Sequence, residues 1–187
     1  MYTNDFIPLN TSQLNTYNDT ICDPVPLRWK LILLNDGSFT QNLNSLTGHH
    51  INANVLKQST NNFVLNQYTQ HLDAYFSLVN SKATREVWLE DNKSTKLAFA
   101  RSFWFQPSIM SNKFPDHEPI GKSFIQLNID IHKEIHQVYC GYSTHMSHEF
   151  KSNDFIWGRH YTIWQNYQPL AIVQEFFSPH LIQYLQL

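Results

Sequence analysis

One glutamate and three arginines lie within apolar segments of this chain, where charged side chains are seldom buried without a partner. Glu175 follows an apolar run at 170–173 and one glutamine. Because side chains alternate across a strand, Glu175 would share one face with Val173 and Phe177. An ionised carboxylate on such a face is costly unless a cation or hydrogen bonds compensate its charge. The simpler alternative is a strand-end glutamate that reaches solvent or pairs with a structural arginine.

The arginines extend this pattern. Arg85 alternates with Val87 and Leu89 on one predicted strand, Arg101 alternates with phenylalanines on the next, and Arg159 alternates with aromatic residues on a third. Each arginine either pairs with a carboxylate of the protein or binds an anionic group of a ligand. Guanidinium groups bind carboxylates through two parallel hydrogen bonds, and a nearby carboxylate side chain can exchange a proton with a ligand oxygen. The four residues therefore predict a pocket for a small flat ligand with a carboxylate at one end and a hydroxyl or ether at the other.

Other chemistries have weaker support in the sequence. His132 and His136 are spaced as i and i+4, but the intervening residues do not match the zincin motif H-E-x-x-H. We predict an exposed helix face there and no metal site, because ten histidines in one chain produce such spacings by chance. Cys22 and Cys140 form no C-x-x-C motif. We therefore expect no cysteine zinc site, no disulfide framework and a reducing compartment.

Length and composition indicate one globular domain. The chain has 187 residues, and 42% of them are hydrophobic, which is enough for one sizeable core. Because its net charge is only -2, we predict no nucleic-acid partner. No apolar run reaches the ~20 residues needed to cross a bilayer, and the first residues do not resemble a signal peptide, so we predict no membrane association. We assign 1–23, which is polar and rich in Asn and Thr, to a flexible N-terminal lead-in, and 24–187 to the single domain.

The periodicity of apolar residues predicts the elements that must position these side chains. We predict helices at 27–34, 39–46 and 129–139, and strands at 50–57, 84–90, 96–105, 123–128, 155–164 and 170–177. The stretch 60–80 fits a helix or a strand, and 106–118 has the length and the prolines of a lid or binding loop. Strand pairs at hairpin spacing, with helices before and between them, predict an α+β fold around a single antiparallel sheet.

Four short stretches, taken in order, carry a family resemblance. They are LILLNDGSFT at 31–40, Arg85-Glu86-Val87 followed by Ala100-Arg101, Pro119-Ile120-Gly121-Lys122, and WGR at 157–159 leading into PLAIVQEFFSP at 169–179. In this order the sequence resembles the chorismate lyase (chorismate pyruvate-lyase) family, in particular its cyanobacterial and plastid-encoded members. The resemblance spans residues 24–179, although the flap region at 39–48 matches only loosely.

The resemblance implies a fold and an activity. The fold would be a six-stranded antiparallel sheet with helical flaps over an internal cavity. The reaction would convert chorismate to 4-hydroxybenzoate and pyruvate, without a metal or an organic cofactor. The small-molecule partner would then be chorismate, and the product would feed quinone synthesis. We expect a monomer in the plastid stroma, or in the cytoplasm of a cyanobacterium.

The resemblance also implies roles for individual residues. Arg85 matches the arginine that holds the ring carboxylate, and Ile120 matches an apolar residue whose backbone N–H assists there. Glu175 matches the carboxylate at the 4-oxygen, and Phe39 lies in the stretch that matches the closing flap. Arg85 and Glu175 would thus be the catalytic residues, with the other two binding substrate.

Two questions stay open at the level of sequence. Arg101 and Arg159 are both candidates to bind the enolpyruvyl carboxylate of the substrate, because both lie on apolar strand faces. The alternative function is a non-catalytic small aromatic acid-binding domain, since the same fold serves as the effector module of some bacterial transcription regulators. That alternative predicts an attached DNA-binding domain, for which we find no sequence pattern.

Overall fold

The computed structural model describes residues 4–10, 25–59, 83–105 and 119–185, with backbone alone for the first of these segments. The strands are β1 (Asn4–Asn10), β2 (Asn52–Ser59), β3 (Ala83–Glu90), β4 (Lys96–Trp104), β5 (His132–Ser143), β6 (Ile156–Gln165) and β7 (Gln168–Phe177). The helices are α1 (Leu27–Leu33), α2 (Phe39–Thr47), α3 (Ile120–Gln126), α4 (Thr144–Phe150) and a C-terminal 3-10 helix, Pro179–Leu185. The predicted ambiguous stretch at 60–80 and the predicted lid at 106–118 lie outside the described residues.

The strands form one antiparallel sheet in the order β1-β5-β6-β7-β4-β3-β2. The predicted α+β class, with a single antiparallel sheet flanked by helices, is therefore confirmed. Glu175 lies on the central strand β7, paired in register with Arg159 of β6 on one side and Ala100 of β4 on the other. None of the described helices is long and apolar enough to span a membrane.

The strand β1 was not predicted from the sequence, which assigned residues 1–23 to a flexible lead-in. It pairs along its whole length with β5 at one edge of the sheet. Pro8, opposite Tyr139, interrupts the apolar alternation that would have indicated a strand. Within sheets proline is found mainly on edge strands, and β1 is an edge strand. Membership of residues 24–187 in one domain stays a prediction.

The sheet is apolar on both faces. On the face that we call the cavity face, α1, α2 and the 3-10 helix pack against the strands, and Trp29 contacts Trp157 with ring centroids 6.0 Å apart. On the opposite face, α4 covers an aromatic cluster. That cluster contains Trp88, Phe99, Tyr139, Met146, Phe150, Ile156 and Phe176. Most side chains of β7 are buried, because helices or aromatic residues cover both faces.

The predicted strand at 123–128 is wrong, since residues 120–126 form α3. Pro119 caps this helix, and its carbonyl accepts hydrogen bonds from the N–H groups of Lys122 and Ser123. The apolar residues Ile120 and Phe124 are one helical turn apart, so both reach the same neighbouring surface. Asn128, with φ of 51°, follows the end of the helix.

The predicted helix at 129–139 is also wrong, because most of this stretch belongs to the strand β5. A β-bulge between Ile135 and Gln137 inserts one extra residue. The bulge breaks the alternation of the strand and places Ile131, Ile135 and Val138 at intervals of four and three. That spacing is typical of a helix, which explains the incorrect prediction.

Cys140, buried on β5, is disulfide-bonded. The expectation of no disulfide framework did not anticipate this bond. The partner of Cys140 is not among the described residues. A disulfide-bonded cysteine has no thiolate, so it cannot serve as a nucleophile.

Gly158 is a position where the fold leaves no space for a side chain. A Cβ atom there would overlap Cε2 of Tyr139 and would lie 2.8 Å from the backbone oxygen of Glu175. We expect Gly158→Ala to lower the free energy of unfolding by about 1–3 kcal/mol, because both neighbours belong to the packed sheet. Urea unfolding measures this change. Leu56→Ala, at a residue 54% exposed on β2, is the control, and equal effects of the two variants would contradict the expectation.

Candidate active site

A cavity lies between the cavity face of the sheet and the start of two helices, α2 and α3. Its lining contains Phe39, Thr40, Arg85, Val87, Leu89, Ala100, Pro119, Ile120, Gly121, Phe124, Ile131, Lys133, Tyr161, Ile163, Val173 and Glu175. Its volume is about 70 Å³, room for roughly five water molecules at ~10–15 Å³ each. A mostly apolar wall with a few convergent polar groups is typical of a small-molecule site.

Four of the residues predicted from the sequence meet in this cavity: Arg85, Glu175, Ile120 and Phe39. Arg85 is 2% exposed and shares its face of β3 with the apolar lining residues Val87 and Leu89. Its guanidinium is therefore a buried positive charge beside a small cavity. In such a low-dielectric environment, attraction between a cation and an anionic ligand is stronger than in water.

Glu175 is held by two neighbours on β6. Its Oε2 accepts a hydrogen bond of 2.7 Å from Nε of Arg159, and its Oε1 accepts one of 3.0 Å from the hydroxyl of Tyr161. Burial and the negative charge of Glu175 raise the pKa of Tyr161 well above its ordinary value, so the phenol keeps its proton and remains a donor. The two bonds fix the orientation of the carboxylate and leave each oxygen a second lone pair.

Arg159 connects Glu175 to the end of α1. Its Nη1 donates to the backbone oxygens of Ile32, Leu33 and Asn35 at 3.0, 3.0 and 2.7 Å. These carbonyls end the helix, where a positive charge is favourable. The side chain is fully buried and is not part of the cavity lining. These hydrogen bonds tie Arg159 to Glu175 and to the end of α1.

Arg101 lies on the opposite face of the sheet. Its Nε forms an ion pair of 2.8 Å with Oε1 of Glu86, and its guanidinium lies 5.9 Å from the ring centre of Phe99. The sequence placed it correctly beside phenylalanines. Both faces of β4 are apolar, so the pattern alone did not indicate which face bears the cavity.

Loss of each of the two arginine–glutamate ion pairs should change the free energy of unfolding by a very different amount. Breaking the buried Arg159–Glu175 pair with Arg159→Met should lower the free energy of unfolding by about 3–5 kcal/mol, because an uncompensated carboxylate stays buried. Breaking the Arg101–Glu86 pair with Arg101→Met should cost about 1 kcal/mol or less, since its side chains are 36% and 26% exposed. Urea unfolding of both variants gives the comparison, and similar losses would contradict the larger contribution expected of the buried pair.

Lys133 is a cavity residue that the sequence analysis missed. Its Nζ donates a hydrogen bond of 2.5 Å to the backbone oxygen of Gly37 and lies 5.1 Å from the ring centre of Tyr161. Burial lowers the pKa of Lys133 to about 8, against the opposing effect of Glu175. Recognition of β5 as a strand would have found it, because Ile131, Lys133 and Ile135 alternate along one face.

The N-terminal ends of α2 and α3 form part of the cavity wall. Ser38 caps α2 by accepting a hydrogen bond from the N–H of Gln41. A Cβ atom on Gly121 of α3 would lie 2.8 Å from Oγ of Ser38. Phe39 meets the ring of Phe177 edge to face at 4.9 Å. The start of α2 is therefore packed against both α3 and the sheet.

The histidines considered as metal ligands are not clustered. His132 is exposed on β5, and Nε2 of the half-buried His136 lies 2.7 Å from Oγ1 of Thr162. Among the residues with described side chains, no group of three or more His, Cys, Asp or Glu is arranged to hold a metal ion. The cavity contains one carboxylate, Glu175, in its described lining.

Comparison with known proteins identifies the family. A family model described as Chorismate pyruvate-lyase Rv2949c-like matches residues 33–185, a segment that includes every described residue of the cavity lining. The chain belongs to this Rv2949c-like chorismate pyruvate-lyase family. The family resemblance drawn from the four short stretches is thereby confirmed at this level, and the catalytic activity stays a prediction.

Two relatives align with most of the length of this chain. It is 37% identical over 185 residues to "Uncharacterized protein ycf21" of Antithamnion sp., covering 98% of this chain and 94% of the relative. It is 36% identical to the protein of the same name from Porphyra purpurea, with 84% of each covered. These ycf21 relatives are plastid-encoded.

Among solved structures, the Rv2949c-like chain is similar to one provisionally described as a GntR-family transcriptional regulator. The TM-score is 0.47 and the sequence identity is 7%. The match covers 78% of this chain and 64% of that chain, so this chain spans less than two thirds of its length.

Proposed function

We propose that this protein is a chorismate lyase, which eliminates pyruvate from chorismate and leaves 4-hydroxybenzoate. The observation that carries the proposal is that Arg85 and Glu175 both line one small, mostly apolar cavity. A cation at one end and an oriented carboxylate at the other suit a ring that bears a carboxylate and a hydroxyl. Membership in the Rv2949c-like family supports the same reaction.

The chemistry of this elimination makes limited demands on a protein. The ring carbon that bears the hydroxyl loses its hydrogen as a proton, and the ether bond on the neighbouring ring carbon breaks. The electron pair of the C–H bond completes the aromatic ring, and the departing enolpyruvate takes up a proton to become pyruvate. Aromatisation supplies the driving force, so the protein must orient the dianion, exclude water and transfer one proton.

The anchoring role falls to Arg85. Its guanidinium would bind the ring carboxylate through two hydrogen bonds. Ile120, the first residue of α3, would add its backbone N–H, because the first N–H groups of a helix have no intrahelical acceptor. The apolar side chains of Val87 and Leu89 would contact the ring beside this anchor.

The proton-transfer role falls to Glu175. A carboxylate whose two oxygens are held by Arg159 and Tyr161 is fixed in one orientation. Its remaining lone pairs would accept a hydrogen bond from the ring hydroxyl and then the proton from the ring carbon that bears that hydroxyl. Glu175 would deliver that proton to the departing enolpyruvate, so its own charge is restored after each turnover.

Closure of the site would involve the start of α2. Phe39 and Thr40 line the cavity, whose volume of about 70 Å³ is too small for a ring that bears an enolpyruvyl group. Substrate entry would therefore need an outward shift of this segment. Enclosing the ligand removes water that would otherwise weaken the electrostatic contacts.

We further propose that the protein acts in the plastid stroma, and that its product enters quinone synthesis. Plastid-encoded relatives support this location. Chorismate is the partner that the cavity would bind. The proposed reaction uses no cofactor, because the leaving group and the driving force are both contained in the substrate.

The test is direct. The purified chain is mixed with chorismate in the presence of EDTA, and 4-hydroxybenzoate and pyruvate are each quantified over time. Equal yields of the two products would support a metal-independent lyase. Tight binding of 4-hydroxybenzoate without turnover would favour a binding domain instead, and neither products nor binding would refute the proposal.

A further inference from the structure

The cavity contains a second cation in addition to Arg85. Among the described residues of its lining, Arg85 and Lys133 carry positive charges and Glu175 carries the negative charge. The proposed reaction and the proposed anchor account for Arg85 and Glu175 and leave Lys133 without a role. A partly buried ammonium group beside a ligand space is a candidate binding group for a second anion.

The sheet places the two cations on opposite sides of the carboxylate. Arg85 is on β3, Glu175 is on β7 and Lys133 is on β5, in a strand order β3-β4-β7-β6-β5. Each cation is thus two strands from Glu175, about 10 Å at the backbone for a strand spacing of ~4.8 Å. Long side chains from both sides reach into one cavity, so the lining alternates cation, carboxylate and cation.

We propose that Lys133 binds the enolpyruvyl carboxylate of chorismate, on the opposite side of Glu175 from the ring carboxylate. This inference rests on the proposed lyase function and adds a substrate-binding residue to it. Chorismate carries two carboxylates with the reacting carbon and ether oxygen between them. A cavity with two cations that flank one proton-transferring carboxylate matches that arrangement of charges.

The arginines first considered for this carboxylate are already engaged elsewhere. Arg159 donates to Glu175 and to the carbonyls at the end of α1. Arg101 pairs with Glu86 on the opposite face of the sheet. Lys133, by contrast, is itself part of the lining.

The contacts of Lys133 leave it able to meet a ligand. An ammonium group has three N–H donors, and the backbone oxygen of Gly37 accepts one of them. The ring of Tyr161 lies below the ammonium and favours its charged form. Because Gly37 precedes α2, a ligand carboxylate on Lys133 would lie near the segment that leads into α2.

Lys133→Met tests the proposal, since methionine keeps the length and removes the charge. We expect the KM for chorismate to rise about 10- to 100-fold, with a smaller change in kcat, because a charged hydrogen bond to a group present throughout the reaction is lost. Inhibition by 4-hydroxybenzoate, which has the ring carboxylate alone, should change less than threefold. Thermal unfolding confirms that the variant is folded.

Two further variants provide controls. Lys133→Arg keeps the charge and should retain a KM within about fivefold of the original. Lys96→Met removes a lysine that forms an ion pair with Glu149 and lies over the ring of Trp88, on the opposite face. Its KM should not change.

The pH dependence of kcat/KM distinguishes a Lys133 that binds substrate from one that only supports the fold. Lys133 faces Asp36 from the α1–α2 connection, Tyr161 and Arg159 from β6, and Glu175 from β7, while Arg85 shares the cavity from β3. With a pKa of about 8, its charge is present below that pH and lost above it. The kcat/KM of the unmodified protein should therefore fall above pH 8, and that of Lys133→Arg should stay level.

The outcomes separate this inference from the function on which it rests. Turnover by the unmodified protein together with an unchanged KM in Lys133→Met would overturn the role of Lys133 and leave the lyase intact. Absence of turnover would instead overturn the lyase. In that case, calorimetry compares the affinity of the unmodified protein and of Lys133→Met for chorismate. Equal affinities, or no binding to the unmodified protein, would refute the role of Lys133 as well.

Discussion

Replacing Arg85 with methionine is expected to lower kcat/KM for chorismate about a thousandfold while the protein stays folded. The variant loses two charge-assisted hydrogen bonds to the ring carboxylate, each contributing about 1.5–3 kcal/mol. It also loses the orientation of the ring relative to Glu175, which affects kcat as well as KM. Methionine is apolar and of similar length, and its neighbours Val87 and Leu89 are apolar too, so the cavity wall should accommodate it.

Steady-state kinetics and calorimetry with 4-hydroxybenzoate measure this effect. Arg28→Met, at an exposed arginine of α1, is the matched control and should retain full activity. Loss of product binding in parallel with loss of turnover would support the anchoring role. Unchanged turnover in Arg85→Met would refute it, and with it the orientation of substrate proposed for the cavity.

The central part of this site was predictable because of strand alternation. Glu175 and Arg85 each interrupt an apolar face on a regular strand, so their side chains could be assigned to the buried side without knowledge of the fold. Arg159 was placed on its correct face for the same reason. A central strand with unbroken pairing on both sides constrains its side chains to two directions, and the sequence shows which residues share each direction.

The rest of the site depends on features that one strand does not encode. Arg101 lies on an apolar face that belongs to the opposite side of the sheet, and only the packing of α4 distinguishes that side from the cavity side. Lys133 was concealed by the bulge after Ile135, which imitates helical spacing. Tyr161 donates to Glu175 only because β6 and β7 are neighbours. These relations arise from tertiary contacts between segments distant in sequence.

Replacing Glu175 with glutamine is expected to lower kcat by about 10²- to 10⁴-fold, the usual contribution of a general base. Glutamine keeps the shape and can still accept a hydrogen bond from Arg159, but it cannot take up the ring proton. Binding of 4-hydroxybenzoate should persist, since the ring carboxylate is held elsewhere. Single-turnover kinetics with chorismate separates the chemical step from product release. Full turnover in this variant would mean that another group removes the proton.

The same variant leaves Arg159 buried without its counter-charge, so stability falls as well, by about 3 kcal/mol. Tyr161→Phe is the matched control, because it keeps the Arg159–Glu175 pair and removes one neutral donor, at a cost of about 1 kcal/mol. The double variant Glu175→Gln with Arg159→Met removes both buried charges. It should be more stable than Arg159→Met alone and no more active than Glu175→Gln alone. Recovery of stability without recovery of activity would show that Arg159 serves the fold through Glu175, whereas the carboxylate itself serves the reaction.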